Sequence, residues 1–168
     1  MENKKTDFEI HFRQYVEEMR QYDPDFCEED EFEDFMNTVK DMCVVMPVKN
    51  GNKTAGFLAL SAKDCHPDCG WYIHHAFIEK GYRHKGLMTK TVLLWMAGTG
   101  GTVYGYDVIK DSPNSEGNYY AEGYWKHVFE DVLGKIMDVK PVELTPCRDP
   151  AVEEKLQVHA YRVYPKDL

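Results

Sequence analysis

The hydrophobic period of this chain first changes near residue 42, and that change limits what it can fold into. Before it, Phe8, Phe12, Tyr15 and Met19 recur at helical spacing and predict a helix over 7–22. Asp23-Pro24 stops that helix, because proline cannot continue it and restricts the residue before it. Phe32, Phe35, Met36 and Val39 form the inward face of a second helix over 28–41. The pattern then becomes that of strands. Residues 43–48 are a short apolar, β-branched run, and 54–62 are its return. Between them, Lys49-Asn50-Gly51-Asn52 reads as a hairpin turn, since Asn-Gly tolerates the positive φ that such turns demand.

A second turn over 63–70 leads to a third strand over 71–79. A basic, glycine-bearing loop follows at 81–86, and then an apolar helix over 87–97 that ends on Gly98-Thr99-Gly100-Gly101. Residues 102–109 read as a strand, 118–133 as a helix and 155–164 as a final strand. The order predicts an α/β domain on a mixed central sheet, with antiparallel N-terminal hairpins and crossover helices. No repeat or linker divides it, so a single domain is expected over 1–168, with 1–41 a helical N-terminal part and 42–168 the core.

Composition excludes several classes. No apolar stretch approaches the ~18 residues of a membrane helix, and the N-terminus lacks the apolar core of a signal peptide. A cytoplasmic protein without a membrane partner is expected. Five cysteines at 27, 43, 65, 69 and 147 have no regular spacing, which argues for reduced thiols. The net charge of −9 disfavours a nucleic-acid partner and suits a cationic one, although acidity can also serve solubility alone. Ten carboxylates against one arginine lie between Glu17 and Asp34, either a solvated face or a landing surface for a cation.

The chemistry concentrates at 83–88, where a strand ends and a helix begins. Free N–H groups and the helix dipole make such a junction an anion site. Gly86 allows close backbone approach to a phosphate, and Arg83 and Lys85 add positive charge. Tyr82-Arg83-His84-Lys85-Gly86-Leu87-Met88 resembles the acyl-CoA signature of the GNAT superfamily of N-acetyltransferases, Gln/Arg-x-x-Gly-x-Gly/Ala. Arg83 and Gly86 match, and Met88 stands where the family usually has Gly or Ala. A later helix in the family often carries Asn-x-x-Ala-x-x-x-Tyr. Here Asn118 and Ala121 match, Trp125 takes the tyrosine position, and Tyr124 precedes it. The resemblance spans about 43–133 and makes the first two helices the family's variable part, which often shapes the substrate site.

The resemblance implies an acyl-CoA N-acyltransferase fold and transfer of an acetyl group from acetyl-CoA to a primary amine by direct attack. No catalytic cysteine is then required. Phe77 and Ile78 would hold the pantetheine and thioester, and Arg83, His84, Lys85, Gly86, Leu87, Met88, Asn118 and Ala121 the rest of the donor. In relatives acting on arylalkylamines, two histidines sit nine and eleven residues before the signature arginine; here those positions are His74 and Tyr72. Both share one strand face by the two-residue period, while His75 points away. An imidazole, ordinarily near pKa ~6.5, suits His74 to the role of general base. Tyr124 is the candidate acid; Tyr120 or solvent are alternatives.

Other readings compete. Cys65-His66-Pro67-Asp68-Cys69 invites a zinc site, but no second distant pair completes it, and no metal is expected. Trp71, Tyr72, Phe77, Tyr161 and Tyr164 could line an aromatic pocket or form core. A catalytically weak CoA-binding module, or an interaction protein using the acidic helices, would share this sequence pattern. The amine, a small molecule or a protein side chain, is left open, as is a homodimer.

Overall fold

The computed structural model describes residues 4–22, 24–62, 69–99, 101–109, 122–144, 150–151 and 156–166. Among the described residues, the helices include α1 (Asp7–Tyr22), α2 (Phe32–Met42), α3 (Leu87–Thr99) and α4 (Glu122–Lys126). The strands among the described residues are β1 (Val44–Asn50), β2 (Lys53–Ala62), β3 (Trp71–Ile78), β4 (Thr102–Ile109), β5 (Met137–Val142) and β6 (Leu156–Pro165). They form one sheet in the order β1-β2-β3-β4-β6-β5. β3 and β4 run parallel, with α3 in the connection, while β4–β6 and β5–β6 are antiparallel. The sheet is therefore mixed, as the element order predicts.

The boundaries follow the sequence closely. Helix α1 begins on a reciprocal cap: Glu9 N–H donates to Thr6 Oγ1 at 3.2 Å, and Thr6 N–H to the Glu9 carboxylate at 3.3 Å. The second helix opens as a 3-10 turn, Glu29–Glu31, before α2. Gly51 has φ +60, the left-handed conformation expected of the β1–β2 turn. Two elements differ from expectation. Residues 118–121 of the predicted fourth helix lie outside the described residues, and after α4 the backbone widens into a π-helical turn, His127–Val132. Such a turn adds a residue to the helical repeat and rotates the side chains that follow. Strand β5 is not assigned by the sequence reading. Its Val-Lys-Pro-Val sequence lacks a continuous apolar run, and Pro141 is tolerated because β5 lies at the sheet edge.

The contacts divide into two compact units, Met1–Ala59 with His75–Met88, and Leu60–His74 with Thr89–Leu168. In the first, Phe12, Tyr15, Val16 and Met19 of α1 and Phe32, Met36 and Val39 of α2 are buried. Their rings pack on β2, with Tyr15 and Phe57 centroids 5.6 Å apart. Fully burying one such side chain contributes about 1.5–3 kcal/mol. Ion pairs join the helices: Lys40 with Glu9 at 2.9 Å, and Glu29 with Arg13 at 2.6 Å and Arg20 at 3.1 Å. In the second unit, Tyr106, Phe129 and Tyr161 stack, with Phe129 and Tyr161 centroids 4.6 Å apart. Trp125 joins them 5.8 Å from Tyr106 and is buried, so its indole serves packing. No helix among the described residues is long and apolar enough to cross a membrane.

Candidate active site

The signature segment lies in the first unit. Strand β3 ends at Ile78, a 3-10 turn takes Lys80–Tyr82, and Arg83 returns to extended backbone. His84 then adopts φ +64 and Gly86 φ +73, two left-handed residues flanking Lys85. The first is uncommon for a residue with a Cβ and marks local strain. An added Cβ at Gly86 would meet nothing within 4 Å, so the backbone there faces open space. Among the described residues, the N–H groups of His84, Lys85 and Gly86 make no backbone hydrogen bond. Leu87 begins α3, whose first-turn amides lack intrahelical acceptors by the geometry of any helix. A left-handed turn running into a helix start is the arrangement that cradles phosphates.

The two cations of this segment have different surroundings. Lys85 is exposed, with Nζ 5.5 Å from the Tyr82 ring centroid. Arg83 is committed within the fold: Nη1 and Nη2 donate to Glu18 at 2.9 and 2.5 Å, and Nε donates to the Ile78 carbonyl at 2.7 Å. Its charge is therefore balanced by Glu18. Met88 is 3% exposed, so its side chain turns into the interior, away from the open side of the loop. Phe77 and Ile78 are buried at the end of β3. In this unit His75 Nδ1 and Tyr15 OH share a 2.6 Å hydrogen bond, and the His75 ring packs against Phe12 and Phe35, as befits a residue on the opposite strand face from His74.

The second unit holds the candidate acid–base groups. His74 Nε2 and Ser61 Oγ lie 2.6 Å apart, and the half-buried His74 ring sits 5.1 Å from that of Tyr72. Tyr72 is fully buried and donates to Asp107 Oδ1 at 2.7 Å. Gly105 admits that ring, since a Cβ there would lie 3.0 Å from it. Tyr72 and His74 thus share one face, as the two-residue period predicts. The β3–β4 ladder pairs Trp71, Tyr72 and Ile73 with Tyr104, Gly105 and Tyr106, and β3 itself runs on to Ile78.

Tyr124 OH lies 3.2 Å from Thr89 Oγ1, and burial pushes its phenol up to about 12. Burial also raises Tyr104, countered in part by its bond to Thr99. Both phenols keep their protons in the folded state after the unfolded chain has lost them near pH ~10. These two phenols add no pH dependence below about pH 10, and their contribution makes stability fall between about 10 and 12. Thermal melts across that range check this, and Tyr124→Phe should reduce the decline.

Asn118, Ala121, Tyr120, Cys65, His66, Asp68 and Cys147 lie outside the described residues. Trp71 packs on Trp95, and Phe77 on Phe57, as core rings. Sequence reasoning did not single out Ser61, Asp107 or Glu18. Ser61 ends the apolar run Phe57–Leu60 with a hydroxyl, a faint signal, but which residue it meets depends on strand register.

No family model matches the sequence, and no curated protein matches it by sequence. The fold does match. An N-acetyltransferase from Staphylococcus aureus Mu50 superposes with TM-score 0.54 at 14% identity, over 93% of this chain and 94% of the other. An aminoglycoside 6'-N-acetyltransferase complexed with coenzyme A gives 0.53 at 15%, over 98% of both chains. The aminoglycoside 6'-N-acetyltransferase from Enterococcus faecium gives 0.51 at 14%, over 98% and 97%. Together with the mixed sheet and the strand–turn–helix segment at 83–88, these likenesses show that the chain has the GNAT, or acyl-CoA N-acyltransferase, fold.

Proposed function

We propose that this protein is an acyl-CoA-dependent N-acyltransferase that moves an acetyl group from acetyl-CoA to a primary amine. The observation that carries this reading is the left-handed turn at His84 and Gly86 opening into α3, within the fold of known acetyltransferases. Backbone amides of 84–88 and the Lys85 ammonium would take the donor's diphosphate. Phe77 and Ile78, with Asn118 and Ala121, would hold the remainder. In this reading the β3 backbone beyond the described β4 pairs, Trp71 to Ile73, takes the pantetheine arm.

In the reaction, the amine loses a proton to His74, directly or through water. Ser61 holds Nε2 and so orients the ring. The nitrogen then attacks the thioester carbonyl; the C–N bond forms, the C–S bond breaks, the thiolate leaves, and the nitrogen gives up its second proton to solvent. A phenol near pKa 12 is a weaker acid than a thiol, ordinarily about 8.5. Tyr124 is therefore suited to donating a hydrogen bond to the thiolate, with solvent supplying the proton.

The acceptor is a cationic amine in this reading, a small molecule or a protein side chain. Net charge −9 and the exposed Glu17, Glu28, Asp30, Glu31, Glu33 and Asp34 support it. Thiol release from acetyl-CoA, followed across polyamines, lysine-like amines and neutral aromatic amines, tests both parts. Release that is fastest with the cationic amines is expected. Preference for the neutral aromatic amines would overturn the acceptor class. Binding of acetyl-CoA without release from any amine would leave a CoA-binding module instead.

A further inference from the structure

Three residues on one face of α1 meet polar groups of β3 and the turn that follows it. His11 Nε2 lies 3.6 Å from Glu79 Oε2, Tyr15 shares its hydrogen bond with His75, and Glu18 grips Arg83. The spacing of 11, 15 and 18 is that of a single helical face. The Glu18–Arg83 ion pair is largely enclosed, with side chains 18% and 10% exposed. It is also bidentate, which fixes the guanidinium plane as a single hydrogen bond would not. Through Nε, the same guanidinium holds the carbonyl of Ile78, the last residue of β3. Arg83 therefore ties three points together: α1, the strand end and the residue that precedes the left-handed turn.

We propose that Glu18 is a positioning residue for the donor site, acting through Arg83 to hold the His84–Gly86 turn in the shape that receives a diphosphate. The inference rests on the functional reading above. It assigns the N-terminal helix a part in donor binding, besides any role toward the amine. His84 carries a Cβ in a left-handed conformation and needs its surroundings to keep it there. With Glu18 neutral, Arg83 is free to swing toward solvent, and the turn loses its anchor on the α1 side.

The test compares two donors, acetyl-CoA and S-acetylpantetheine, the second of which lacks the diphosphate and the nucleotide attached through it. Dissociation constants for acetyl-CoA are measured directly, and those for S-acetylpantetheine by displacement of acetyl-CoA. In Glu18→Gln, acetyl-CoA should bind about tenfold more weakly, while the dissociation constant for S-acetylpantetheine stays at its wild-type value, because misplacing binding groups by about an ångström costs that much or more. Arg83→Lys, which keeps the charge and loses the bidentate geometry, should show the same donor-selective loss. Equal weakening of both donors would mean that Glu18 only supports the fold, and unchanged acetyl-CoA affinity in both variants would overturn the inference while leaving the functional reading intact. Wild-type protein that binds no acetyl-CoA would overturn the functional reading, and this inference with it.

Discussion

Replacing His74 by alanine should lower kcat/KM for amine acylation by about 10²–10³-fold, within the range that a positioned general base contributes. The protein should remain folded, because the ring, bonded to Ser61 and beside Tyr72, is only half-buried. The neighbouring histidine supplies the control. His75 is bonded to Tyr15 and packed against Phe12, Tyr15 and Phe35, so His75→Ala should lower the melting temperature and leave kcat nearly unchanged. Steady-state rates at saturating acetyl-CoA, measured beside thermal melts, separate the two. A His74→Ala enzyme within threefold of wild type would remove His74 from the mechanism.

Gly56→Ala should be among the most destabilising single substitutions in the first unit. A Cβ at Gly56 would lie 1.9 Å from the Phe77 carbonyl oxygen and 2.9 Å from the Ile78 Cα. Both are backbone atoms, so no side-chain rotation relieves the overlap, and the strands must separate. A loss of about 4 kcal/mol or more is expected, at the exceptional end of single-residue effects. For a chain of this length that corresponds to a fall in melting temperature of about 10 °C or more. Phe77 and Ile78 are also the proposed thioester-holding residues, so acetyl-CoA affinity should fall in the same variant. An unchanged melting temperature would contradict the close approach of β2 and β3.

The fold was legible because local signals agreed with one another. The periodicity of Phe8, Phe12, Tyr15 and Met19, the Asn50-Gly51 turn and the Gly98–Gly101 stop each act over a few residues, and each element appears where those signals set it. The π-helical turn and β5 were not legible, since both depend on tertiary packing. Phe129 and Leu133 must be buried together, and Pro141 is tolerable only at an edge that no local signal announces. The site divides in the same way. Gly86 and His84 could be located from the strand–loop–helix pattern, and Tyr72 and His74 from the two-residue period. That Arg83 is committed to Glu18 could not, because 65 residues separate them in sequence. The sequence reading assigned positive charge at the loop to Arg83 and Lys85 together. In the fold, Arg83 is neutralised by a carboxylate and Lys85 is the exposed cation. Met88 shows the reverse: it differs from the signature this segment resembles, and its side chain is buried in the interior.

The central claim is that the turn at 84–86 binds the diphosphate of an acyl-CoA, and calorimetric titration with acetyl-CoA tests it most directly. Wild-type protein should bind with a dissociation constant on the order of micromolar. Gly86→Glu should weaken that binding by about a hundredfold or more, because it forces a side chain into a left-handed position and sets a carboxylate in the phosphate's path. Equal binding by wild type and Gly86→Glu, or no binding by the wild type at any attainable concentration, would contradict the account.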